Sequence, residues 1–120
     1  MSDTAKAPLF TIDIDRAALL AGDLAVVRCH GKLVAGVTDV LYAEVSKLIP
    51  GTKRIVLDLT DLTHMDSMGL GTVVRLYVSA KSAGCDLKLI NLGKRIRQLL
   101  GISNLLSVFA NVEEYDVPIH

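Results

Sequence analysis

Arg54-Ile55-Val56-Leu57-Asp58-Leu59-Thr60-Asp61-Leu62-Thr63-His64-Met65-Asp66-Ser67-Met68-Gly69-Leu70-Gly71 is the stretch on which the fold turns. Residues 54–59 have a continuous apolar centre, which reads as a strand covered on both faces. Leu62 to Asp66 reads as a loop. Gly69 to Ala83 reads as a long helix, because Leu70, Val73, Val74, Tyr77 and Ala80 return to one side of a 3.6-residue period, and Gly84 is its stop. A buried strand feeding an amphipathic helix is half of a parallel βαβ unit.

The flanking segments complete that unit. Upstream, Phe10 to Asp15 alternates apolar and polar, the period of a half-buried strand. Gly22-Asp23 signals a turn, Leu24 to His30 reads as a second strand, and Gly31-Lys32-Leu33 leads out of it. Val37 to Ile49 forms a helix with Val37, Val40, Leu41, Val45, Leu48 and Ile49 on one face, stopped by Pro50-Gly51. Downstream, Leu87 to Ile90 is a short strand and Lys94 to Leu100 a third helix ended by Gly101. Ser107 to Phe109 is a candidate last strand, and Val112 to Tyr115 begins a short final helix. Residues 1–8 read as a loose tail and 9–120 as one domain. The expected fold class is α/β, α+β-like: one mixed sheet of four to five strands flanked by helices, with right-handed crossovers.

Composition narrows the function. The 120 residues carry 13 basic and 13 acidic side chains, so the chain lacks the basic surplus that nucleic-acid binding or a polybasic membrane anchor requires. No apolar run approaches the roughly 20 residues of a membrane span, and no secretory signal follows the polar start. Aromatic residues are only 4%, too few for base-stacking platforms. Cys29 and Cys85 lie in apolar, strand-like surroundings without a CxxC, which fits buried, reduced thiols and a cytoplasmic location.

Enzyme signatures are missing. There is no GxxxxGK[ST], no GxGxxG after a strand and no GxSxG. His30, His64 and His120 have no metal-ligand spacing, so no metal or cofactor is expected. His30 reads as a satisfied structural residue and His64 as a loop residue. A phosphoaspartate receiver would need an acidic pair upstream of Asp58, and none occurs. Lys94, Arg95 and Arg97 form a small basic patch, and Glu113, Glu114 and Asp116 an acidic tail, both read as solvated surface. Ser67 is placed to be the N-cap of the second long helix, its hydroxyl accepting from a first-turn N–H. It is also placed to receive a phosphoryl group, because a helix start tolerates added negative charge.

The segment Ile55 to Leu62, followed by Met65-Asp66-Ser67-Met68-Gly69-Leu70-Gly71, resembles the STAS domain family, whose hallmark is a strand with an apolar–Asp–Leu pattern and then Asp-Ser-Ser/Thr-Gly-Leu-Gly opening a helix. The nearest branch is the free-standing anti-sigma factor antagonists. The resemblance spans nearly the whole chain: His30-Gly31-Lys32-Leu33 falls on the family's Gly-Glu-Leu-Asp turn, and Gly84 to Leu89 on the strand after the second long helix. It implies a binding module without catalysis. Its partners would be an anti-sigma factor serine kinase, which it binds until Ser67 is phosphorylated, and a serine phosphatase that resets it. Asp66, Met68, Gly69, Leu70 and Gly71 would contribute to the contact surface, together with Lys32 and Val34. Two departures stand out. Met68 replaces a second hydroxyl residue, and Lys32 and Val34 replace the family's Glu and Asp. They leave a second reading open, a STAS scaffold or sensory-complex subunit that is not phosphorylated and has a divergent partner.

Overall fold

The computed structural model describes residues 8–15 and 24–102. Four strands form one sheet in the order β1-β2-β3-β4: β1 Phe10–Asp15, β2 Leu24–Leu33, β3 Arg54–Met65 and β4 Asp86–Ile90. β1 runs antiparallel to β2, with Phe10 opposite Gly31 and Asp15 opposite Val26. β2, β3 and β4 are mutually parallel. The crossovers are α1, Thr38–Leu48, continued by a 3-10 turn at Ile49–Gly51, and α2, Ser67–Ser82; α3, Lys94–Ile102, follows β4 and packs on β3. Both crossovers step in the same direction along the sheet, so right-handed connections put α1 and α2 side by side on one face, where they pack together. The expected mixed α/β sheet is therefore present, with four strands among the described residues. The candidate strand at 107–109 and helix at 112–115 lie outside them.

The centre of β2 and β3 is buried on both faces, because Ala25, Val26 and Val27 lie beside Ile55, Val56 and Leu57 with essentially no exposure. Leu41, Val45 and Leu48 of α1 and Leu70, Val73, Leu76 and Ala80 of α2 supply the helix side of this core. Cys29 and Cys85 are buried and unpaired. Burial, with the Asp58 charge second, pushes the Cys29 thiol up to about 12. Burial and then the Asp86 charge raise that of Cys85. Both stay protonated at neutral pH and serve as small apolar side chains.

Several boundaries differ from the sequence reading. Gly31-Lys32-Leu33 does not lead out of β2 but belongs to it, and Leu62 to Met65 is not a loop but the end of β3. Thr60, Asp61, Thr63 and His64 are exposed, and this polar run hid a strand that nonetheless pairs to its end, Lys32 opposite His64 and Leu33 opposite Met65. β3 has 12 residues against the 10 of β2; the two extra residues are absorbed as irregularities between Arg28 and His30 and between Gly31 and Lys32. α2 begins two residues earlier than read, at Ser67, and Gly101 does not end α3 but lies within it. The stop at Gly84 is as expected. With φ +77°, Gly84 takes the left-handed conformation, Cys85 N–H donates to Ala80 at 2.8 Å and Gly84 N–H to Lys81 at 3.2 Å, a Schellman closure.

Candidate functional site

α1 and α2 both start beyond the carboxyl ends of the parallel strands, and Asp66 joins the two starts. Its extended backbone (φ −104°, ψ −174°) makes it the N-cap of α2. Oδ1 accepts from Gly69 N–H at 2.9 Å, and Oδ2 accepts from Ala35 N–H at 3.0 Å, in the turn leading to α1. The Asp66 carbonyl accepts from Leu70 N–H at 2.9 Å, and its own N–H donates to the Leu33 carbonyl at 3.4 Å. The amides of Ala35 and Gly69 hold the Asp66 carboxyl below the usual carboxylate range.

The cap is therefore Asp66 and not Ser67, a correction to the sequence reading. Asp is as good a cap as Ser, and the N–H it satisfies belongs to Gly69, three residues on. Ser67 is instead the first residue of α2, exposed, and its hydroxyl has no hydrogen-bond partner among the described residues. Met68 beside it is 57% exposed, while its carbonyl accepts from the buried Thr72 hydroxyl at 3.0 Å.

The remaining candidates separate by depth. Gly69 and Leu70 are buried. A Cβ on Gly69 would overlap the Leu33 carbonyl oxygen, so this glycine lets α2 press onto the end of β2. Gly71 is half-buried, and a Cβ there would meet nothing. Lys32 is exposed and Val34 half-buried, at and just past the end of β2. Thus Ser67, Met68, Gly71, Lys32 and Val34 present surface at one end of the molecule, and Gly69 and Leu70 hold it from beneath.

Other polar groups are already engaged. The two ring nitrogens of His30 face Asp13 (2.9 Å) and Asp61 (3.1 Å), tying β1, β2 and β3 together as a structural residue would. His64 lies at the end of β3 rather than in a loop, with Nδ1 2.9 Å from the Thr63 hydroxyl. Partial burial pushes the Asp58 carboxyl up. Hydrogen bonds from the Thr60 hydroxyl (2.6 Å), Asn91 Nδ2 (3.1 Å) and Thr60 N–H (3.0 Å), with the Arg28 charge, outweigh it and leave the group below its ordinary value. Asp58 so fixes Asn91, which has φ +59°, at the exit from β4. Lys94, Arg95 and Arg97 are exposed at the start of α3. Among the described residues no group of three His, Cys, Asp or Glu side chains is placed to hold a metal ion, and no helix is long and apolar enough to cross a membrane.

The sequence reading missed the Ala35–Asp66 bond, which no periodicity encodes. Asp66-Ser67-Met68-Gly69 did carry the cap's own signal, an Asp three residues before the amide it satisfies.

Acid should expose the Asp66 contribution. A carboxyl held below its ordinary value stabilises the fold above that value, and the contribution is lost as pH falls through the lowered one. Asp58 acts with the same sign. Thermal unfolding from about pH 7 to about pH 2 should show stability falling below about pH 4. Asp66→Ala should lower Tm by about 5 °C at neutral pH and flatten the acid limb. An unchanged acid limb would show that the cap contributes nothing.

Known proteins resemble this chain in sequence and fold. Residues 16–115 match the STAS domain family model. The anti-sigma-B factor antagonist of Bacillus subtilis (strain 168) is 36% identical over 80 residues, 62% of this chain and 73% of that protein. The anti-sigma factor antagonist SpoIIAA in its unphosphorylated form superposes with a TM-score of 0.67 at 21% identity, covering 79% of this chain and 82% of that one. The phosphorylated form of this Bacillus cell fate determinant superposes with a TM-score of 0.65 at 20% identity, covering 82% and 87%. At such identities the two structures speak for the fold, and the family model and the Bacillus subtilis relative for the kinship. The chain belongs to the STAS domain family, within its anti-sigma factor antagonist branch.

Proposed function

We propose that the chain is a cytoplasmic anti-sigma factor antagonist that regulates bacterial transcription by partner switching. Unphosphorylated, it binds an anti-sigma factor kinase; phosphorylation of Ser67 releases it, and a serine phosphatase restores binding. The observation that carries this reading is the division of labour at the start of α2. Asp66 does the capping, and Ser67, exposed and unbonded, is spare. A phosphoryl group there adds about −1.5 to −2 charge at pH 7. The Asp66 carboxylate is next to it, and the amides at the helix start partly offset the repulsion. The fold thus tolerates the charge, whereas a partner packed over Ser67 meets both charge and bulk. No base is bonded to the Ser67 hydroxyl among the described residues, which suits an acceptor of phosphate better than an enzymatic nucleophile. The Bacillus protein SpoIIAA, of the same fold, has been captured in both unphosphorylated and phosphorylated forms.

The test is incubation with each anti-sigma factor kinase encoded in the same genome, plus ATP, followed by intact mass. The expected result is a gain of one phosphoryl group that Ser67→Ala abolishes. Binding without any mass gain would overturn the phosphorylation switch and point to a scaffold that is not phosphorylated.

A further inference from the structure

Among the described residues, five large apolar side chains are exposed, and three of them gather at one end of the molecule: Leu9 (46%), Val40 (42%) and Met68 (57%). They come from three elements. Val40 and Met68 sit in the first turns of α1 and α2, beyond the carboxyl ends of β2 and β3. Leu9 immediately precedes β1, whose antiparallel pairing puts it beside Lys32; the Leu9 carbonyl accepts from Lys32 N–H at 2.9 Å. A lone exposed apolar residue needs no explanation, but several at one end with a polar rim mark a contact surface.

We propose that this end docks a protein surface in which an acidic side chain stands beside an apolar pocket, and that Lys32 is the residue selecting it. The inference rests on the antagonist reading of Ser67 and adds the chemistry of the partner. Lys32 is exposed and makes no ion pair among the described residues. Its backbone is held firmly. Gly31 has φ +97° and leaves no room for a Cβ against the Leu9 carbonyl, and the strand irregularity between Gly31 and Lys32 sets the direction of the lysine. The neighbouring acids are committed elsewhere or poorly placed to neutralise it. Both oxygens of Asp66 take backbone amides, and Asp61 lies 3.1 Å from His30. Asp39 is exposed in the first turn of α1, where the helix start attracts it. His64, opposite Lys32 in register, is bonded to Thr63. An uncommitted cation on the rim of exposed apolar side chains favours a partner that supplies the matching anion, and such complementarity chiefly sets specificity and the rate of encounter. An anionic membrane fits less well, because one lysine contributes little attraction to a charged leaflet, and Asp39 and Asp61 lie at the same end.

The experiment titrates wild type, Lys32→Glu, Lys32→Ala and Ser67→Asp against the purified anti-sigma factors of the same genome, with Tm confirming the fold of each variant. Lys32→Glu is expected to weaken binding at least about tenfold and Lys32→Ala less. The gap should narrow between about 0.05 M and 0.5 M salt as screening shortens the reach of the charge. Exchanging the partner's facing acid for lysine should restore binding to Lys32→Glu. If Ser67→Asp releases a partner that Lys32→Glu binds like wild type, this proposal fails while the antagonist reading stands. If no anti-sigma factor binds wild type, both fail. Stronger association with vesicles of anionic phospholipid than with any anti-sigma factor would assign the surface to a membrane and overturn the proposal.

Discussion

Ser67→Asp is expected to weaken binding of the anti-sigma factor partner by at least about tenfold, which is roughly 1.4 kcal/mol, with secondary structure and Tm almost unchanged. The fold should be indifferent because the cap is Asp66, whose bonds to Gly69 and Ala35 do not involve the Ser67 side chain. Binding should not be indifferent, because the new carboxylate stands on the exposed rim beside Met68. Ser67→Ala is the control. Had Ser67 been the cap, its loss would have cost about 1 kcal/mol; with Asp66 in that role, Tm should move by no more than about 2 °C. Isothermal titration with the partner and thermal unfolding of both variants separate these effects. Equal affinity of Ser67→Asp and wild type would refute the switch, and a large fall in Tm for Ser67→Ala would refute the assignment of the cap.

Gly69→Ala should be among the most damaging single substitutions in the chain, although it adds one methyl group to a helix and Ala is the better helix former. The added carbon has nowhere to go: it would overlap the Leu33 carbonyl oxygen and crowd the Leu33 side chain. Backbone cannot swing aside as a flexible side chain can, so α2 must lift from the end of β2. That movement strains the Asp66–Ala35 bond as well. The expected cost is about 3 kcal/mol, the upper part of the range for overpacking. Gly71→Ala, two residues on and facing open space, should be neutral or slightly stabilising. Urea unfolding of the two variants side by side tests the contrast, and similar midpoints would show that the close approach is not a constraint.

Period and punctuation made the core elements legible. Ile55-Val56-Leu57 announces a strand covered on both faces, and the spacing of Leu70, Val73 and Ala80 announces the buried side of α2. The end of β3 was hidden because Thr60 to His64 is polar apart from Leu62. Pairing there follows β2 alongside, and of residues 60–64 only Leu62 is buried. Gly101 misled because a glycine is a helix stop only when the chain needs a left-handed residue. Gly84 meets that need with φ +77°, and Gly101 sits inside a helix. At the site, Asp-Ser before an apolar helix was enough to find the right turn. The cap itself is local, Asp66 to Gly69 three residues on, whereas the second bond of the same carboxylate goes to Ala35, 31 residues away in sequence, and only the tertiary fold brings that amide to Asp66.

The loops after β2 and β3 are stapled to each other by the Ala35–Asp66 and Asp66–Leu33 bonds and by the seating of Gly69 on Leu33. A visitor therefore finds this end already rigid and loses little affinity to the ordering of loose chain. Encounter should be quick, and release by the proposed phosphorylation would need added charge at one side chain and no refolding step. Control by the proposed switch would then run at the speed of the enzymes that add and remove the phosphoryl group.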